Sequence, residues 1–559
     1  MRLRRRDVWW HWPPHPPPAA RRAPPFPPRS AARGWALSPL LSVLKQIAVP
    51  SRRERTRCLL HWRDFAEAKH SSIQTGLLAS FAYFLLIFAL LLPVENFIAA
   101  GFTFEVNYNE GWSVYNADRL LRGELIYDDN YWRVNNYPVG SFMIIAGVNI
   151  LVHNLLLSGR LVALVSFMAI AVLAAIAIRR FGGGRTDAVF GAGCAMGFCY
   201  LVAPAWIIAD DPQTLGEAVV LGALVSYIAR PPDRLNLVCT AFLVVLGGFI
   251  KHNLVAIPAA LTVDLAIRSP RRLLFWAASC AGFATGLFGL TELVAGGNFL
   301  DHLLSPRIFS WYGARYHLMK YLRLLKFPLA AIALSASWVL TADRMILAIW
   351  GMISIISATI LSGFEGTSYN MFQDAAVFLG IAAGVMMSEL RKLDSSSRIA
   401  RILATALPVV AAQPILTRVP DVAAQVYHAR RLLDSDSKRQ ELFLADAKYI
   451  AERRGPAICE SLLLCYVAGQ PFILDPFNSR QYMLSGRLDQ AALIRRVAAR
   501  EFSVIQLRAD ICDDPATRFC HILHYRQKID RFTDDVLYAI DRYYEVAWRS
   551  TFGSFYVPK

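Results

Sequence analysis

Between Thr75 and Leu416 the chain returns again and again to runs of about 16 or more residues almost free of charge, and no other feature restricts the fold as much. Roughly 20 such residues span the ~30 Å hydrocarbon core of a bilayer as a helix, which satisfies its backbone N–H and C=O groups internally. A closed barrel would show strict alternation, which these segments lack. The bulk numbers agree: the 559-residue chain is 55% hydrophobic with a mean hydropathy of +0.36, above the roughly 45–50% apolar content of soluble domains. The expected fold class is an α-helical polytopic membrane protein of about eleven transmembrane helices, with a small C-terminal α/β domain outside the cytoplasm.

The net charge of +17 suggests nucleic acid until its location is considered. Residues 1–70 hold fifteen Lys and Arg against four Asp and Glu, in a Pro-rich stretch with no apolar period. This predicts a disordered cytoplasmic tail held near anionic lipid, with no nucleic-acid partner. Spans are expected at roughly 75–98, 157–178, 186–208, 214–229, 235–250, 254–267, 273–295, 322–341, 345–363, 373–389 and 399–416. With that choice Arg179, Arg180, Arg185, Arg230, Arg234, Arg268, Arg271, Arg272, Arg344, Arg391, Lys392, Arg398 and Arg401 fall in alternate loops, as the positive-inside rule requires. The short apolar stretch 138–154 is then an interfacial or re-entrant helix, since counting it as a span would turn every basic loop outward.

The first outer loop, 99–137, is long and rich in acids, which is where function concentrates. Within it Trp112–Arg122 places Ala117, Leu120 and Leu121 on one helical face, with Gly123 as a stop, and predicts a juxtamembrane helix lying on the bilayer. After Leu416 the sequence becomes mixed and soluble in character. The domains are therefore expected at 1–70, 71–417 and 418–559. In the last, Pro456–Glu460, Pro471–Leu474 and Phe502–Leu507 read as strands, with helices near 461–468 and 489–500. Nine cysteines are scattered without a Cys-x-x-Cys pair; Cys459 with Cys465, and Cys512 with Cys520, are the two pairs an oxidising compartment would allow to bond.

Several short motifs follow one another in a characteristic order: Asn109-Glu110-Gly111-Trp112-Ser113-Val114-Tyr115 at the start of the first outer loop, the segment Gly123 to Asp128, Tyr137-Pro138, Gly159-Arg160-Leu161, Asp210-Asp211 at the second outer loop, Lys251-His252-Asn253 at the end of a span, and Gly366 to Asp374 around Tyr369-Asn370. Gly455-Pro456, Asp475-Pro476-Phe477 and Phe502-Ser503-Val504-Ile505 complete the set. Each is weak alone. Together, over most of residues 75–559, they resemble the GT-C superfamily of membrane glycosyltransferases, with bacterial lipopolysaccharide galacturonosyltransferases and lipid A aminoarabinose transferases as the nearest comparisons, and protein O-mannosyltransferases more distant. Two departures leave donor and acceptor open: Asn109 stands where the superfamily has the leading acid of a pair, and Pro138 where it has two prolines.

The resemblance implies transfer of a sugar, with inversion, from a polyprenyl-phosphate donor to an envelope acceptor: lipid A, lipopolysaccharide, another glycan or a protein. It implies a multi-pass protein of the bacterial inner membrane, its N-terminus cytoplasmic and its C-terminal domain periplasmic. The leaving phosphate needs cations around it but no proton, whereas the acceptor hydroxyl needs one base. Glu110 stands where the superfamily places that carboxylate; the other reading is a solvated loop acid. Asn109, Asn253, Tyr369 and Asn370 are candidate substrate contacts. Asp210 and Asp211 can orient the acceptor, hold a sugar hydroxyl or bind a divalent cation, or simply cap the helix that follows. Lys251 is placed for the lipid phosphate, with snorkelling as its alternative, and His302, Arg307, Arg315 and His317 lie in an outer loop able to close over the head group. The rival classes are a polytopic transporter or flippase of a lipid-linked or polar substrate, a non-catalytic membrane partner, and an envelope ligase or polymerase.

Overall fold

The computed structural model describes residues 67–229, 233–393, 397–508 and 531–559; residues 1–66 of the basic tail, Arg230 and the Cys512 and Cys520 pair lie outside them. Residues 71–559 form one compact unit. Helices occupy all eleven apolar segments: α1 (Glu67–Leu91) continued by α2 (Val94–Ala100), then, after α3 (Asn109–Leu121) and the short α4 (Gly140–Val152), α5 (Leu155–Arg180), α6 (Arg185–Val202), α7 (Pro212–Ala229), α8 (Arg234–Ile250), α9 (Ala256–Arg268) and α10 (Pro270–Ala295). After α11 (Phe299–Leu303) and α12 (Trp311–Leu324) come α13 (Lys326–Leu334), α14 (Ala336–Val339), α15 (Met345–Leu361), α16 (Gln373–Arg391) and α17 (Arg398–Leu416).

Six of these stretches are long and apolar enough to cross a membrane unaided, and a seventh if α17 and α18 (Val419–Tyr427), bent by 44°, count as one span. The expected count of about eleven therefore includes helices such as α8 and α9 that are apolar but short. The segment expected at 322–341 is broken: Ser335 turns its hydroxyl back onto the carbonyl of Ala331 at 2.8 Å, a bond that bends helices. Polar caps fix where chains re-enter. Asn154 accepts from Leu157 N at the start of α5, and Asp233 from Asn236 N at the start of α8.

The bundle has an inside and an outside. Along its span α16 is wholly buried, whereas only 6% of the α10 window is covered by protein, so α10 is the lipid-facing helix. Lipid supplies no hydrophobic drive between helices, so close approach must come from small residues. At the α6–α16 crossing a Cβ on Gly380 would stand 2.4 Å from the Ala195 backbone. The chain is thus a multi-pass helical membrane protein.

Residues after Leu416 pack onto one end of this bundle. Helix α19 (Ala429–Ala451) leads to a sheet of order β1-β2-β4-β3, made of β1 (Ala457–Cys459), β2 (Val504–Leu507), β3 (Tyr544–Ser550) and β4 (Gly553–Pro558). Strands β1 and β2 run parallel, joined through α20 (Leu462–Val467), α21 (Pro476–Leu484) and α22 (Gln490–Ala498). The other pairings are antiparallel, and α23 (Asp534–Tyr543) precedes the β3–β4 hairpin. The strand expected at Pro471–Leu474 does not form; this segment runs beside the first outer loop, where Asp475 N donates to Trp132 O at 2.7 Å. Cys459 and Cys465 are disulfide-bonded across the β1–α20 turn.

One expectation about the outer loop changes in kind. Helix α3 starts three residues earlier than expected and stops at Gly123 (φ +72°) as foreseen, yet protein covers it instead of leaving one face free. Residues Glu110–Ala117 are all buried, because α20 covers the side away from α4 and α5. Contact is so close that a Cβ on Gly111 would lie 2.0 Å from Leu463 N. Tyr115 donates to Gln470 O at 2.8 Å and stacks on Phe472. Gly111→Ala should therefore loosen this joint at a cost of about 1–3 kcal/mol, seen as faster hydrogen exchange across α3 in the full chain; unchanged exchange would contradict the packing.

Candidate functional site

Three separate segments meet where the first outer loop, the α6–α7 loop and the end of α8 come together. Asp211, its side chain fully enclosed, caps α7 by accepting from Gln213 N at 2.8 Å. The same carboxylate accepts from the Asn109 amide at 2.5 Å and faces the Tyr137 hydroxyl at 3.5 Å. Lys251 ends α8 and reaches the other oxygen of Asp211 at 3.6 Å, with its ammonium 3.5 Å above the centre of the Tyr137 ring, within cation–π range. Burial pulls the Lys251 pKa down to about 8 despite the opposing pull of Asp211. Arg307 stands close enough to act electrostatically on both Lys251 and Tyr137, and its guanidinium is oriented by Asn478 (2.9 Å) and the Glu365 carbonyl.

Glu110 is brought to the same place but is held by different partners. Arg160, buried in the first turns of α5, grips it with two parallel bonds of 2.7 and 2.9 Å, the bidentate geometry that gives guanidinium–carboxylate pairs their strength. Val106 N adds a third donor at 2.7 Å, with Asn107 N and Asp210 N more distant at 3.4 Å. The remaining Arg160 donors hold the carbonyls of Ala99, Ala100, Phe102 and Phe104. Both Glu110 oxygens are thus engaged with donors from the chain itself, and the pair ties the whole 99–110 segment to α5.

Asp210 is the least satisfied group. It is 1% exposed and neither carboxylate oxygen has a hydrogen-bond partner; it rests on the bare backbone of Gly159, where a Cβ would collide with it. Burial, then repulsion from Glu110 and Asp211, pushes its pKa well above the carboxylate range, with Arg160 opposing. A divalent ion does not fit this carboxylate pair, because Asp210 is packed against Gly159 and Lys251 already stands beside Asp211. Among the described residues no group of three or more His, Cys, Asp and Glu could hold a metal, and no step below uses one.

The other candidates lie further off. Asn253 donates to the Met371 sulfur at 3.1 Å. The Asn370 amide is satisfied by the Ser368 carbonyl and Trp206 Nε1. Tyr369 carries the Lys320 ammonium over its ring at 3.6 Å and meets the His317 ring edge-on. His302 is buried between Asn135 N and the Asp128 carbonyl, a fixed side chain of the loop.

Three residues that organise the site, Tyr137, Arg160 and Arg307, were named from the sequence only as motif or loop residues and not as partners of Asp211, Lys251 or Glu110. Arg160 had a visible signal, as a lone cation in the early turns of an otherwise apolar 26-residue helix. Tyr137 stood in the Tyr137-Pro138 motif and Arg307 among the loop cations, but their pairing with Lys251 had no signal, because it is proximity across 114 and 56 residues.

Comparison with known proteins identifies the architecture. No protein-family model and no curated protein matches the chain. Among solved structures, ArnT from Cupriavidus metallidurans in its apo state matches with a TM-score of 0.53 at 12% identity, over 85% of this chain and 97% of that one. The same protein bound to undecaprenyl phosphate gives 0.50 at 12%, over 88% and 98%. The oligosaccharyltransferase AglB from Archaeoglobus fulgidus, in complex with an inhibitory peptide and a dolichol-phosphate, gives 0.46 at 14%, over 86% and 74%. The chain thus shares its fold with ArnT over 85% of its length.

Proposed function

We propose that this chain, built on the fold of a GT-C membrane glycosyltransferase, moves a sugar from a polyprenyl-phosphate donor to a cell-envelope acceptor with inversion. The observation that carries the proposal is the enclosed Asp211–Lys251 pair, framed by Asn109, Tyr137 and Arg307 at one end of the bundle. Undecaprenyl phosphate bound to a protein of the same fold supports a lipid-linked donor. On this reading the site faces the periplasm of a bacterial inner-membrane protein, the C-terminal domain is extracytoplasmic and the N-terminus cytoplasmic. Lipid A, lipopolysaccharide, another glycan and protein all remain acceptors to be assayed.

Each group has a task. Lys251 and Arg307 hold the donor phosphate and receive the negative charge that grows as the anomeric C–O bond breaks. The acceptor hydroxyl attacks that carbon from the opposite side, and its proton passes to Asp211. Glu110, the residue whose sequence position suggests the base, is clamped in the bidentate pair with Arg160 and fixes the loop, whereas Asp211 stands beside Lys251, where the donor phosphate is placed. Asn109, in the place of the superfamily's leading acid, orients Asp211 with its amide. Asn253, Tyr369 and Asn370 are assigned to the far wall, toward the acceptor.

A panel of polyprenyl-phosphate sugars and envelope lipids, incubated with purified protein and followed by mass spectrometry, tests the activity; absence of transfer across the panel would count against it. Lys251→Ala should weaken donor binding by about tenfold or more, the worth of a charge-assisted contact, measured per folded molecule because Asp211 then stays buried without its cation. Unaltered affinity would remove Lys251 from the phosphate site. The pH dependence follows from its lowered pKa: the ammonium is present below about 8, so donor affinity should be full at lower pH and fade as pH rises through that value. Calorimetric titration of donor between pH 6 and 10 checks this, and Lys251→Arg should flatten the upper limb.

A further inference from the structure

One turn inward from Asp211 and Lys251, the bundle encloses a second group of polar side chains that the proposed reaction does not use. Glu217 lies one helical turn beyond Gln213 on α7, is fully buried, and has no hydrogen-bond partner at either carboxylate oxygen. The amide oxygens of Gln213, Gln373 and Asn253 are likewise buried without partners; Gln213 is 2% exposed and Gln373 0%. Their neighbour Asp374, at the start of α16, accepts 2.6 Å from Trp350 Nε1. Gln213, Asn253 and Asp374 line one small cavity together with Ser357 and Met371.

The chemistry of this group is one-sided. Every unpartnered atom named here is an oxygen, and the matching donors are committed elsewhere: Gln373 Nε2 to Thr214 Oγ1 at 3.4 Å and Asn253 Nδ2 to the Met371 sulfur. Among the described residues, the charge acting on Glu217 is that of Asp374, a second carboxylate. Unpaired acceptors in an apolar bundle cost roughly 1–3 kcal/mol each, and an isolated carboxylate more. An intramembrane carboxylate without a cationic side chain calls for a partner from outside the chain. A concave set of carboxylate and amide oxygens suits a hard cation, which takes oxygen ligands almost exclusively.

We propose that Asp374 and the amide oxygens of Gln213 and Asn253, which line one cavity, bind a single dehydrated hard cation inside the helical bundle, with the unpartnered carboxylate of Glu217, one turn beyond Gln213, as a second negative charge nearby. Gln213 follows Asp211 by two residues and Asn253 follows Lys251 by two, so the ion joins the segments that carry the buried pair. Alkali and alkaline-earth ions share the required chemistry, and the experiment separates them. The inference concerns binding and stands whether or not the chain transfers sugar.

The test uses the full-length protein in detergent, stripped of Na+, K+, Mg2+ and Ca2+ and kept in N-methylglucamine chloride at constant ionic strength. Each ion is titrated in turn, with thermal unfolding followed by fluorescence and metal content of the gel-filtered protein by mass spectrometry. One ion should raise the melting temperature saturably, as a ligand of the native state does, at about one ion per chain. Glu217→Gln and Asp374→Asn should each weaken that binding by about tenfold or more. The proposal is overturned if no ion exceeds N-methylglucamine, if both variants keep the wild-type titration, or if stability follows pH alone, the mark of two carboxyls sharing a proton. Should neither variant fold, the wild-type stoichiometry decides: content far below one per chain rejects the site.

Discussion

Asp211→Asn should lower kcat for sugar transfer by about 10²–10⁴-fold, the contribution of a positioned general base, measured per folded molecule because losing the carboxylate also leaves the buried Lys251 without its ion-pair partner. The substitution keeps an oxygen for the cap on Gln213 N, which is 2.8 Å from the present carboxylate, and preserves volume in an enclosed site. What it removes is the acceptor for the hydroxyl proton and the negative partner of Lys251. The informative contrast is Glu110→Gln. Glu110→Gln weakens the buried pair with Arg160 in either case; if Glu110 were the base, turnover per folded molecule would be lost, whereas if it only fixes the loop, turnover of the folded fraction survives. Measuring kcat per folded molecule for both variants therefore chooses between the two carboxylates. Full turnover by Asp211→Asn would end its candidacy.

The largest effect on stability is expected at Arg160→Met. Removing one partner of a buried ion pair leaves the other charge uncompensated, at about 3–5 kcal/mol. Here Glu110 would keep only its backbone donors, and four carbonyls of the 99–104 segment would lose theirs. The expected result is poor recovery of folded protein and a lowered melting temperature. Glu110→Leu combined with Arg160→Met should recover part of that loss, since the orphaned charge is gone and only the carbonyls remain unserved. A double variant no more stable than the single one would show that the carbonyl contacts, and not the ion pair, dominate.

Much of the bundle was legible because lipid imposes a simple rule on sequence: each helix must be apolar over its length, and its ends must carry caps or charges. The eleven segments follow from that rule. The number able to cross alone does not, because α8 and α9 are sheltered by neighbours that no local window contains. At the site, Asn109, Asp211 and Lys251 could be named from order along the chain and a resemblance. The bidentate hold of Arg160 on Glu110, on which the proposed division of labour with Asp211 rests, was not readable, since it depends on where Arg160 points. The same limit hid the burial of α3: its face pattern is that of a surface helix, and only the arrival of Leu462 and Leu463 against Gly111 covers it.

The joint between α3 and α20 also has a history in the life of each molecule. Tyr115 and its partner Gln470 are 355 residues apart, so at ~5–20 residues per second the ribosome makes the helix roughly 20–70 s before its lid. Through that interval α3 has no cover on the side that α20 later closes, so the joint forms only after residues 462–470 have been made.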